Sequence, residues 1–268
     1  MDRWQTFPIE FKGGLMTNVA PVQQGIGFPG SGQVLRNFEP SVEGGYRRIR
    51  GYSKWDTEVL PGSGEVRGLV EFEQSAIAAR GTHLYQSGGS GWTQLTDNAV
   101  YGSSGITLSG SARVRFAKHH FGANDVLIIT DGDDKPYKWD GTTLSQITTA
   151  TGDVDGSNRV VSHKNHLFFA KSTTLTFSAP FDDTDFTPAS GAGTIEFDSA
   201  ITDLISFREQ LIIFTEKSIH LLAGDSIADF KLEPITRDIG AVYPDTEQEI
   251  GGDIMFMGPD GLRLLSAT

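Results

Sequence analysis

Five segments of the chain share one shape, an apolar run, a short polar turn and a second apolar run, and this repetition constrains the fold more than any other feature. The pairs are Ser75–Arg80 with His83–Gln86, Asp125–Thr130 with Lys135–Trp139, His166–Ala170 with Thr174–Phe177, Gln210–Phe214 with Ser218–Leu222, and Asp253–Met257 with Gly261–Leu265. Anchored on Leu84, Tyr137, Leu175, Ile219 and Leu262, the units stand 53, 38, 44 and 43 residues apart. The long first interval holds a Gly- and Ser-rich insertion, Asn98 to Ser111. A strand-like run precedes four of the hairpins, at Val66–Phe72, Ala112–Ala117, Asn158–Ser162 and Ile201–Phe207. A further short run follows three of them, at Trp92–Leu95, Leu144–Thr148 and Phe230–Ile235.

Four strands recurring every 40-odd residues is the pattern of a propeller blade. One such sheet cannot cover both its faces, so its neighbours must stack on it. The sequence therefore predicts an all-β, β-propeller-like fold of about five repeated four-stranded units over 65–268. A β-sandwich with evenly spaced strands is the competing arrangement. Residues 1–64 differ in texture, with isolated apolar residues among many Gly and Pro and no lasting period-2 alternation. They read as an extended N-terminal arm, a docking segment whose order comes from contact with folded β-structure.

The net charge of −12, with 34 acidic against 22 basic residues, argues against a surface built to hold nucleic acid. The chain has no Cys, which removes disulfides, thiolate nucleophiles and Cys-ligated metals. Met1-Asp2-Arg3-Trp4-Gln5 shows no apolar leader, so no signal peptide is expected, and the apolar runs are too short for a membrane span.

Little catalytic chemistry is legible. The pair His163 and His166 sits three residues apart, which on one strand would point the rings to opposite faces, and His119-His120 reads as a strand-end pair. Asp131-Gly-Asp-Asp134 and Asp153-Val-Asp155-Gly156 concentrate carboxylates, yet Asp and Gly are also what tight turns require. No phosphate loop, dinucleotide fingerprint or nucleophile elbow is present in the sequence, so the chain reads as non-enzymatic and without cofactor or metal. One basic cluster interrupts the acidic background: Tyr46, Arg47, Arg48, Arg50 and Tyr52. Arg and Tyr are favoured at interfaces and guanidinium forks pair with carboxylates, so these residues are predicted to dock an acidic partner surface. A solvated strand whose Arg residues neutralise local Asp and Glu is the plainer alternative.

The stretch Phe7-Pro-Ile-Glu-Phe-Lys-Gly-Gly-Leu15, followed by Gln33-Val-Leu-Arg-Asn-Phe-Glu39 and Gly44-Gly-Tyr-Arg-Arg-Ile-Arg-Gly-Tyr52, resembles the opening of the tail nozzle and tail tubular proteins of short-tailed bacteriophages. Ile239-Gly240-Ala241 and Phe256-Met-Gly-Pro-Asp-Gly-Leu-Arg263 are similar to a recurrent blade motif of the same family. The resemblance implies a virion structural protein, assembled in the host cytoplasm into a ring, commonly of six copies. It also implies adaptor or other tail proteins as partners, and DNA that passes through without specific binding. Family chains usually run past the last motif, so the fifth unit is expected to lack its final strand, unless the arm supplies one. A host-surface glycan-binding propeller, stacking sugars on Trp55, Trp92 and Trp139, is the alternative function, and a glycosidase on a propeller a third.

Overall fold

The computed structural model describes residues 13–18, 20, 30–32, 34–41, 45–51, 53–95, 108–149 and 153–268. The described residues hold strands and two 3-10 turns but no α-helix. They divide into two compact units, 1–55 and 56–268. In the first, β1 (Phe38–Pro40) and β2 (Tyr46–Arg48) form an antiparallel hairpin of their own. The arm thus carries short strands where the sequence suggested none, because three residues a side are too few to display an alternation.

The second unit is a run of antiparallel meanders. Sheet 1 comprises β3 (Val66–Phe72), β4 (Ser75–Arg80), β5 (His83–Ser87) and β6 (Trp92–Gln94). Sheet 2 comprises β7 (Arg115–His119), β8 (Val126–Thr130), β9 (Tyr137–Trp139) and β10 (Leu144–Gln146). Sheet 3 comprises β11 (Arg159–His163), β12 (His166–Lys171), β13 (Thr174–Phe177) and β14 (Gly193–Glu196). Sheet 4 comprises β15 (Ile201–Phe207), β16 (Gln210–Thr215), β17 (Ile219–Ala223) and β18 (Lys231–Thr236). Sheet 5 has three strands, β19 (Gln248–Ile250), β20 (Asp253–Gly258) and β21 (Gly261–Leu264). Every strand pairs with its neighbour in sequence, the order of a propeller blade.

Each second strand is apolar on both faces and so can stack on a sheet to either side. Ile77 and Ala79 of β4 meet Leu127 and Ile129 of β8 in the first core. Val126 and Ile128, on the other face of β8, meet Leu167 and Phe169 of β12. Phe168 and Ala170 meet Leu211 and Ile213 of β16, and Ile212 and Phe214 meet Ile254 and Phe256 of β20. All eight residues predicted to share buried faces by pairs (Leu127, Ile129, Leu167, Phe169, Leu211, Ile213, Ile254 and Phe256) are at most 1% exposed. A sandwich would instead bury only one face of each sheet.

The compact unit begins at Asp56, ahead of the sequence-based boundary at 64/65. The segment 56–64 is tied to sheet 1: Ser87 donates to the Asp56 carboxylate, Gly91 N donates to the same carboxylate at 3.0 Å, and Arg80 donates to Leu60 O and Gly64 O.

Candidate functional site

Arg47 and Glu39 are direct cross-strand partners in the arm hairpin, and their side chains pair at 2.7 Å. Arg48 faces Phe38 across the hairpin. Arg48 and Arg50 are exposed and have no ion pair among the described residues, and Phe38 and Ile49 beside them are 51% and 40% exposed. Tyr46 is half-buried, and Tyr52 lies outside the described residues. The hairpin therefore brings Tyr46, Arg47 and Arg48 onto one short strand with Arg50 just beyond. Within the hairpin Arg47 neutralises a neighbouring carboxylate, while Arg48 and Arg50 make no ion pair among the described residues.

A second site, which the sequence reading missed, lies in the propeller-like unit. The first strands β3, β7, β11 and β15 line a groove of about 910 Å³ with Arg67, Arg115, Arg159 and Asp203, and Asp245 closes it ahead of β19. With the buried Glu247, one charged residue stands at this position in each unit, spaced 48, 44, 44 and 44 residues apart. That near-constant spacing was the available signal. It was hidden because a single charge inside an apolar strand looks like an outward-facing residue.

Asp245 organises the groove. Arg115 grips it with a two-pronged bond, Nε to Oδ1 at 2.8 Å and Nη2 to Oδ2 at 2.7 Å, while Arg113 and Arg159 approach to 3.4 and 3.7 Å. Burial works to raise the Asp245 pKa, but the Arg115 bonds and the Arg159 charge prevail and hold it below the usual carboxylate range. Arg159, 4% exposed, also donates to Thr202 O at 2.7 Å and lies 3.5 Å from Asp203. Burial, then the Arg115 charge, lowers its own pKa. Burial also raises Asp203, and pushes Glu247 up to about 7 with help from the Asp203 charge. Glu247 therefore holds its proton more tightly than a solvated carboxyl does. The guanidiniums are thus answered largely from within the unit, which makes the cluster a polar strut linking the first strands.

His163 and His166 are structural in their placement. His163 and His166 are not on one strand but face each other as cross-strand partners at the turn between β11 and β12. Ser206 Oγ meets His163 Nδ1 at 2.8 Å, and burial depresses the His163 pKa to about 4. Asp131 accepts from the backbone of Asp133, Asp134 and Ser109, and Asp153 accepts from Asp155 N, so both acidic stretches use carboxylate oxygens to hold turns. Trp139 is 4% exposed in the first core and cannot stack on a sugar from solvent, while Trp55 is 60% exposed.

No family model and no curated protein matches the chain. Solved structures do resemble it in fold. PorZ, a bacterial surface component of the type-IX secretion system of Porphyromonas gingivalis, is 12% identical with a TM-score of 0.52, covering 84% of this chain and 36% of that one. The extracellular domain of BT4673 from B. thetaiotaomicron is 12% identical with a TM-score of 0.51, covering 78% and 28%. The Pan2 WD40 domain of Neurospora crassa is 11% identical with a TM-score of 0.46, covering 74% and 64%. This chain spans about a third of the first two. At such identities the likeness to the first two speaks for the fold alone.

Proposed function

We propose that the chain is a virion structural subunit of the tail nozzle kind, docking on neighbouring subunits through its N-terminal hairpin to build a ring that DNA traverses. The observation that carries this reading is that Arg48 and Arg50 are exposed and make no ion pair among the described residues, beside exposed Phe38 and Ile49. A compact patch of guanidinium and apolar surface suits a protein partner that supplies carboxylates. The copies are themselves acidic, with a net charge of −12, so each can supply them. The motifs around this hairpin are also those that resemble the nozzle family. The acidic balance further suits a lumen along which phosphates slide without releasing counterions and sticking.

Native mass spectrometry of the parent and of the variant Arg47→Glu, Arg48→Glu, Arg50→Glu tests the reading. The parent should appear as one closed high oligomer. The variant should remain folded and fall to monomers, since attraction becomes like-charge repulsion. A monomeric parent, or a variant that assembles as the parent does, would defeat the proposal.

A further inference from the structure

We propose that a recess at the junction of sheets 2 and 3 binds a neutral pyranose unit of a glycan, independently of whether the chain forms rings. The recess measures about 360 Å³ and is walled by the β7–β8 turn, the start of β8, Lys138 of β9 and the loop 181–183 after β13. That volume fits one sugar ring. No tryptophan lines it, which sets it apart from the sugar platform expected from the sequence.

Three features point to a ligand. His119 lines the recess with its side chain only 2% exposed, and among the described residues neither of its ring nitrogens has a hydrogen-bond partner. Nε2 stands 3.2 Å from Asp183 Oδ2 without making a hydrogen bond to it, so in either tautomer the buried ring offers one donor and one acceptor to a ligand. Phe181, held at φ 60 by a bond from its N to Asn165 O at 2.8 Å, is 62% exposed at the edge of the recess. Phe121 stacks on His119 with ring centroids 4.2 Å apart, giving the inner wall a second aromatic surface. Finally, Asp140 and Asp182 each use Oδ1 to cap a turn, which leaves Oδ2 as an acceptor.

The charges select the ligand class. Lys138 Nζ is bonded to both oxygens of Asp183, at 2.8 and 2.6 Å, so no free cation remains to attract an anion. Asp140, Asp182 and Asp183 would repel one. A compact cation meets the Lys138 ammonium in the same wall. A neutral polyol meets neither obstacle: its hydroxyls donate to the carboxylates and to the acceptor nitrogen of His119, while its C–H face lies on a phenyl ring.

Saturation-transfer NMR on the full chain provides the test, using methyl pyranosides of glucose, galactose and mannose together with N-acetylglucosamine. Glucuronate and choline serve as the anionic and cationic controls. At least one neutral sugar should show transfer, and Phe181→Gly, which suits the left-handed backbone, should weaken it about tenfold. Absence of transfer to every neutral sugar, equal binding by Phe181→Gly, or stronger binding of either control would overturn the assignment.

Discussion

Asp245 sits at a positive φ of 65 and faces three arginines, two of which are largely removed from water. Asn keeps that backbone conformation but not the charge. Asp245→Asn should therefore cost about 3 kcal/mol in chemical denaturation, because Arg115 and Arg159 lose their common counter-charge. A loss below a few tenths would show that Asp203 alone satisfies them. Glu247 and His163 give opposing pH responses. Burial raises the Glu247 pKa to about 7, so the folded state binds the extra proton and Glu247 weakens stability as pH climbs from its ordinary value of 4.5 towards 7. Burial lowers His163 to about 4, so its contribution is intact above 6.5 and fades as pH falls towards 4. Relative to the parent, Glu247→Gln should gain stability on the alkaline side, and His163→Gln should resist acid better. Urea midpoints across pH 4 to 8 check both signs; parallel curves for all three proteins would refute the assignment.

At the scale of elements, the second strands carry the fold. Phe169 and Leu211 are fully enclosed between sheets, and truncation of either to Ala should cost about 2–5 kcal/mol by denaturant melts. Gly240 belongs to a motif singled out in the sequence, and the structure gives its physical reason. A Cβ there would run into the backbone of Thr215, Glu216 and Lys217, where Ala241 N donates to Thr215 O at 3.0 Å. Gly240→Ala should thus destabilise where Gly88→Ala, with open space around it, should not on steric grounds. These hairpins were legible because their apolar alternation runs five or six residues, long enough to stand out. The ends of units were not. β14 and β19 are three or four residues long, and β19 is exposed throughout, so neither shows a periodic signal. The Ala112–Ala117 run sits partly ahead of β7, because Val114 N bonds back to Arg67 O of sheet 1 before the strand begins. The turns Glu73-Gln74 and Arg208-Glu209 hold positive φ angles without the Asn-Gly pair that usually announces such a loop, so in the sequence only the apolar runs on either side marked them.

For the whole molecule, stacking was readable from sequence because each sheet needs two neighbours and the repeat supplies them. The central charges escaped notice because their meaning depends on five units converging, a relation that no local window contains. The same limit applies to assembly. The docking proposed for the Arg hairpin rests on composition and exposure, and the copies must be observed together to test it. Electron microscopy of the purified full chain tests the central claim most directly. The account predicts closed rings around an open channel, with the N-terminal hairpin at each subunit contact. A field of single propeller-like particles at micromolar concentration, or rings whose contacts leave Arg48 and Arg50 facing solvent, would contradict it.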